Sequence, residues 1–326
     1  MGKLLIILGP TSTGKTDLAL YLAKRFDGEV ISCDSRQVYM GLDLGTGKMP
    51  NKQVCCLRNK QLRVEKSKGR WEVEGVKIWQ YDVVVPKKQY TVYDYIKDAN
   101  KVIFGILNRR KLPIIAGGTG LYLKALLEGL PNLSIPIDQN LRKQLNDLKV
   151  KKLQQKLQDI SPDKWNSLNI SDRQNPRRLI RAIEIMINSK LKCQNSKLQF
   201  KSQNYNTLKI GLITDREILY QRSDKHVVGR IKLGMIEESE NLHKNGLSLD
   251  RMKQLGLEYG VLADYLEGRI QTQDELIKVL QLKIHDYIRR QMTWFKKEKD
   301  VNWFDITDLN YLNKIEKLVR SWYDSF

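Results

Sequence analysis

The sequence predicts an α/β protein. The core is a parallel sheet flanked by helices, of the P-loop NTPase-like kind, with a mainly helical insertion. Three observations carry this. The apolar run 4–8 passes into LGPTSTGKT and then into a helical pattern with Ala19, Leu22, Ala23 and Phe26 on one face. A second apolar run, Pro113-Ile114-Ile115-Ala116, passes the same way into Gly117-Gly118-Thr119-Gly120 and a helix. Between them and a further strand at 208–213 lies a mainly helical, strongly basic stretch. The expected divisions are a first part of the core at 1–129, an insertion at 130–206, and the rest of the core with C-terminal helices at 207–326.

The first strand leads into Gly9, Gly14, Lys15 and Thr16, which satisfy G-x-x-x-x-G-K-[ST] in its strand–loop–helix setting. Glycines let successive N–H groups converge on one anion, and the helix start adds its positive end. Lys15 adds a full charge, and Thr16 offers a hydroxyl to a magnesium ion. Which phosphate is held stays open at this point. The second strand, 29–32, ends at Asp34-Ser35-Arg36-Gln37, and the carboxyl ends of strands face the ligand crevice. Asp34 is therefore expected to look across at the P-loop. A glycine-rich loop with a lysine follows at 41–48. The sequence changes character over 49–76, with an insertion at 51–76 that reads as a surface β-hairpin, 61–64 and 71–73 around a turn at Lys68-Gly69, and 78–85 reads as a strand or extended edge.

A helix is expected over 90–107, the third strand over 113–116, and a helix to about residue 128. Within the insertion, Lys149, Lys151, Lys152 and Lys156 share an amphipathic stretch. Asn175-Pro176 opens a helix whose Ile180, Ile183 and Ile187 pack while Arg177, Arg178 and Arg181 present a basic face. Residues 190–206 read as a polar return to the fourth strand, 208–213, which ends at Thr214-Asp215-Arg216. The helices after it carry Arg216, Arg222, His226 and Arg230. Residues 252–266 are helical with a loop at Gly256, and a long helix spans 275–299.

Lys+Arg exceed Asp+Glu by 57 to 37, a formal charge of +20. That excess suits a protein that grips a polyphosphate backbone and has no obvious use in a small-molecule enzyme. The bland alternative is a lysine-favouring genome. A hydrophobic content of 41% supports a sizeable core. No run approaches 18 apolar residues and nothing near the start reads as a cleavable leader, so no membrane association is expected. Cys33, Cys55, Cys56 and Cys193 form no C-x-x-C pair, which supports neither zinc nor a disulfide framework and favours a reducing cytoplasm.

GPTSTGKT, ISCDSRQVY, GLDLGTGK, IIAGGTGLYLKALLEGL, NPRRLIRAIE and RRQMTWFK, in this order over nearly the whole chain, resemble the tRNA dimethylallyltransferases, or tRNA isopentenyltransferases. The resemblance implies transfer of a dimethylallyl group from dimethylallyl diphosphate to N6 of adenosine 37, beside the anticodon of tRNA. It implies that Gly9, Pro10, Thr11, Ser12, Thr13, Gly14, Lys15 and Thr16, with Arg222 and His226, hold the diphosphate. Asp34 matches the general base, Thr11 a residue touching the reacting groups, and Thr16 a ligand of Mg²⁺. Asp34, Ser35, Arg36, Gln37, Thr119, Arg142, Arg177, Arg178, Arg181, Arg290 and Gln291 match positions that meet tRNA. A cytoplasmic, monomeric, bacterial-type enzyme is implied, since the zinc finger of eukaryotic cytosolic members has no counterpart.

Three departures stand out. His226 replaces the second of two arginines usually found four apart, leaving His226, Arg216 or Arg230 to supply the charge. The usual Pro-His after the GTGK loop gives way to the 51–76 insertion. The segment from Gly256 to Tyr265-Leu266 is two residues longer than usual. Three alternatives stay open: a P-loop kinase or NTPase with Asp34 or Asp215 on the metal, an adenylate isopentenyltransferase acting on a free nucleotide, and a non-catalytic RNA-binding protein.

Overall fold

In the computed structural model, which describes residues 2–48, 62–133, 135, 137–191 and 205–325, one sheet organises most of the chain. Its strands are β1 (Lys3–Leu8), β2 (Gly28–Ser32), β3 (Val64–Ser67), β4 (Gly69–Val73), β5 (Val76–Tyr81), β6 (Leu112–Gly117), β7 (Asn206–Ile213) and β8 (Val301–Asp305). They run in the order β3-β4-β5-β2-β6-β1-β7-β8. Neighbours from β5 to β8 are parallel, while β3-β4-β5 form an antiparallel meander. β1 lies between β6 and β7, buried on both faces, which is why its sequence is a continuous apolar run rather than an alternation.

The structure corrects the expected surface hairpin. Its strands are 64–67 and 69–73, and its first expected residues, up to Gln61, lie outside the described residues. Trp71 and Val73 are fully buried, and the chain turns at Gly75 straight into β5, which pairs with β2. The alternation of Trp71 and Val73 with Arg70 and Glu72 is that of a sheet with one face on a core. β5 is accordingly an interior strand, not an edge.

The unit formed by residues 1–127 and 203–326 contains α1 (Lys15–Arg25), α2 (Val92–Asn108) and α3 (Gly120–Leu127) before the insertion. Residues 128–202 form the second unit, with α4 (Gln139–Asn146), α5 (Val150–Ile160), α6 (Pro162–Asn166), α7 (Ile170–Arg173) and α8 (Pro176–Leu191). Leu145, Leu153, Leu157, Leu179 and Ile183 make its core. The first unit then resumes with α9 (Arg216–Lys232), α10 (Met235–Lys244), α11 (Leu249–Leu255), α12 (Leu257–Leu266), α13 (Gln273–Phe295) and α14 (Tyr311–Asp324).

Two apolar clusters brace the first unit. One joins the sheet to α1 and α14 through Leu5, Leu18, Leu22, Ile210, Ile315 and Val319. The other packs α9 to α13 on Val38, Tyr39 and Leu42. β8 has no counterpart among the expected elements, which run on only as C-terminal helices after the long helix. It adds to the sheet beside β7, where Gly211 leaves room for Trp303.

Candidate active site

The P-loop is built where β1 gives way to α1. Gly9 stands at φ 146°, and a Cβ there would lie 2.3 Å from the Leu212 carbonyl oxygen of β7. Ser12 and Gly14 also take positive φ, so the chain curls on itself with amides turned inward. Thr13 Oγ1 donates to the Pro10 carbonyl at 2.9 Å, and Lys15 Nζ folds back on the same oxygen at 2.7 Å. Burial lowers the Lys15 pKa to about 8, with the Asp34 carboxylate pulling the other way. The P-loop follows β1 and Asp34 follows β2, strands on either side of β6, so both lie at the same edge of the sheet.

Asp34 follows β2. Its Oδ1 accepts the backbone N–H of Arg36 at 2.8 Å and of Gln37 at 3.3 Å, an Asx turn that fixes the carboxylate. Thr119 closes the far side: its hydroxyl accepts the Ser35 N–H at 3.2 Å, and its own N–H donates to the Cys33 carbonyl. Gln37 reaches away, accepting from Ser32 Oγ at 2.7 Å and donating to the Thr46 carbonyl at 3.2 Å, so it braces the 41–48 loop. Arg36 is half-buried. Asp215, the rival strand-end carboxylate, caps α9 by accepting the Glu217 N–H at 2.8 Å.

Helix α9 supplies the loop's third side. Arg222 Nε donates to the Ser12 carbonyl at 2.8 Å, and His226 Nδ1 lies 3.1 Å from Ser12 Oγ. Burial, then the charges of Arg230 and Arg222, push the His226 pKa down to about 4. The imidazole is therefore held neutral at neutral pH. Arg230 is committed elsewhere, to the Gly45 carbonyl at 2.8 Å and Glu258 at 3.1 Å. Arg216 sits exposed at the start of α9, 3.8 Å from Glu217. Of the candidates for the diphosphate's positive partner on α9, the one against the loop with a fixed charge is Arg222.

Helix α13 crosses above both glycine loops. Gln291, almost fully buried, accepts from Thr11 N–H at 2.8 Å and Thr11 Oγ1 at 3.0 Å, and donates to the Gly118 carbonyl at 3.0 Å. The expected RNA contact is thus, in this state, an internal staple between two loops. The same packing explains the second glycine loop. A Cβ on Gly118 would lie 2.3 Å from the Gln291 amide, and one on Gly120 would lie 2.2 Å from the Trp294 ring. These glycines admit a helix rather than a phosphate. Arg290, one residue before Gln291, is exposed.

Three contributors carry no sequence signal. Tyr287 on α13 faces Thr119, and burial together with the Asp34 charge raises its phenol above the ordinary range. Glu238 on α10 accepts the N–H groups of Asp43, Leu44 and Gly45 at 2.8–3.2 Å, with the Tyr259 hydroxyl at 2.5 Å. Asp82 pairs with the fully buried Lys48 at 2.5 Å, and Asp43 takes the same ammonium at 3.0 Å. The 41–48 loop therefore carries its own internal anion and cation.

In the second unit the expected basic face is largely neutralised. Arg142 donates to Glu184 at 3.0 and 2.9 Å, and Arg181 bonds Glu184 at 2.5 Å and the carbonyls of Asn132 and Ile135. Burial alone would raise Glu184, but hydrogen bonds from Arg142, Arg181 and the Asp138 N–H hold it below the usual carboxylate range. Arg178 is ion-paired with Asp172. Arg177 remains exposed, with no acid partner among the described residues, as do Lys149, Lys151, Lys152 and Lys156 on and beside α5.

Residues 37–298 match the family model described as IPP transferase, and residues 2–67 match one described as Isopentenyl transferase. A tRNA dimethylallyltransferase 2 of Treponema denticola is 39% identical, with 91% of this chain and 94% of that protein covered. The structure of a tRNA isopentenylpyrophosphate transferase from Bacillus halodurans superposes with a TM-score of 0.68 at 32% identity, covering 99% of this chain and 97% of that one. A eukaryotic dimethylallyltransferase, captured acting on tRNA, shares the fold with a TM-score of 0.75 at 22% identity, over 98% of this chain and 79% of that one.

Proposed function

The chain belongs to the IPP transferase family, and from that premise we propose that it transfers a dimethylallyl group from dimethylallyl diphosphate to N6 of adenosine 37 of tRNA. What supports the reading is that the glycine loop after β1 and the Asp34 carboxylate after β2, fixed by its Asx turn, open on the same edge of the parallel sheet. The adenine N6 lone pair is delocalised into the ring, so the amine must lose a proton as it attacks. Asp34 takes that proton, held for the purpose by the amides of Arg36 and Gln37. The N6–carbon bond forms as the carbon–oxygen bond to the diphosphate breaks. Negative charge then grows on the departing pyrophosphate, where the P-loop amides, Lys15 and Arg222 meet it. Entry of the anion draws Lys15 away from the Pro10 carbonyl and favours its charged form.

Mg²⁺ fits this arrangement. The described residues contain no cluster of three or more His, Cys, Asp or Glu that could hold a metal. Magnesium characteristically keeps waters and binds through a few hard oxygens together with substrate phosphates. The Thr16 hydroxyl would hold it, and it would neutralise diphosphate charge. A base in a tRNA loop can be splayed out and read edge-on. Arg36, Ser35 and Thr119 surround the place where it meets Asp34. Arg177, Arg290 and the exposed lysines of α5 contact phosphates, while Arg142, Arg178 and Arg181 shape the segments that carry them. The cytoplasm, where tRNA is available, is the site of action.

The test incubates the protein with an anticodon stem-loop, Mg²⁺ and either dimethylallyl diphosphate or ATP. RNA gains the mass of one dimethylallyl group with the first and nothing with the second. Phosphorylation of the RNA, or ATP turnover without prenylation, would replace this reading with a kinase.

A further inference from the structure

Arg222, His226 and Arg230 recur every four residues along α9 and so share one face of the helix. Two of them meet one P-loop residue, Arg222 at the Ser12 carbonyl and His226 at the Ser12 hydroxyl. Arg230 and Arg222 of its own helix act on the imidazole. The P-loop presents the Ser12 hydroxyl. From α12, Glu258 bonds Arg230. α13, packed against α9, directs its own His285 to Asp224 at 2.8 Å. With burial and two guanidinium groups acting on it, the imidazole is held neutral at neutral pH. An anion held by the loop would reverse that balance.

We propose that His226 takes up a proton when a diphosphate enters the P-loop and releases it when pyrophosphate leaves. This rests on the reading of the loop as the prenyl donor's diphosphate site. The proton comes from solvent and returns to it, and no covalent bond changes. An opposite charge within a few ångströms favours the charged form by about 1–3 pKa units. An imidazolium carries N–H at both nitrogens. Nδ1–H then donates to Ser12 Oγ, whose own hydrogen is left for a phosphate oxygen. A third arginine here would repel Arg222 and Arg230 at all times. Histidine supplies its charge only while the anion is present to offset that repulsion.

The chain has 3 histidines, at positions 226, 243 and 285, so each is separable by imidazole NMR of the full-length protein. His226→Gln identifies the signal. Saturating inorganic pyrophosphate should raise the His226 titration midpoint by about 1–3 units. Calorimetry in two buffers of different ionisation heat should show proton uptake per pyrophosphate bound that falls in His226→Gln and in His226→Arg. An unmoved His226 titration at saturating pyrophosphate overturns the proton coupling and leaves the diphosphate site standing. A loop that binds no pyrophosphate overturns the site reading beneath it.

Discussion

The P-loop and the 41–48 loop are both glycine-rich turns ending in a lysine, yet they use those residues in opposite ways. In the P-loop, Lys15 is half-buried, leans on a backbone carbonyl and has a depressed pKa, so an incoming anion is its better partner. In the 41–48 loop the anion is already there. Glu238 takes three consecutive amides, while Lys48 lies wholly buried between Asp43 and Asp82. We read the first loop as a binding site, while the second already holds its anion and fixes the wall beside it.

Removing each lysine separates the two roles. Lys15→Ala should cut prenyl transfer by about 10²–10³-fold, as for loss of one preorganised group at a developing charge, with little loss of stability in urea unfolding. Lys48→Ala should instead cost about 3–5 kcal/mol of stability, because the buried Asp82 loses its counter-ion and Asp43 is left with Lys66 alone. If Lys48→Ala unfolds like wild type but loses pyrophosphate binding, the two loops have been assigned the wrong way round.

A smaller version of the contrast lies within the insertion. Arg181→Ala, which strips Glu184 of one partner and two carbonyls of theirs, should destabilise by about 1–3 kcal/mol. Arg177→Ala should leave stability within about 0.5 kcal/mol. It should reduce the salt slope of tRNA binding by about 1. Equal stability losses in the two variants would dissolve the distinction between structural and RNA-facing arginines.

His226 adds a pH signature. Its folded pKa of about 4 lies below the ordinary value of 6.5, so the unfolded chain binds more protons between those values. Wild type should therefore lose stability relative to His226→Gln as pH falls from about 6.5 towards 4, by about 1–3 kcal/mol. Thermal melts of both proteins across that range, without added anion, read the difference. Parallel curves would mean that the imidazole is not held neutral.

The parts of the site legible in the sequence are those whose chemistry is local. Gly9, Gly14, Lys15 and Thr16 are contiguous with the strand and helix that orient them, and Asp34 ends a strand whose neighbour order follows from βαβ geometry. Glu238, Asp82 and Tyr287 act across more than 30 residues of chain through folding that no spacing announces. The glycines at 118 and 120 are visible as glycines, but their reason, the approach of Gln291 and Trp294, is tertiary. Glu184 is different: it stands three residues past Arg181 in sequence, within ordinary helical pairing range, and was readable as that arginine's partner. β8 is short and largely exposed, so it carries neither the apolar run of β1 nor a clean alternation.

The central claim is that Asp34 draws the proton from N6 while the P-loop holds the donor. Single-turnover prenylation of an anticodon stem-loop by Asp34→Asn, with pyrophosphate and RNA affinities measured on the same protein, addresses it directly. The expected result is a transfer rate lower by about 10²–10⁴-fold with both affinities near wild type. Transfer at the wild-type rate, or a rate loss matched by loss of pyrophosphate binding, would contradict it.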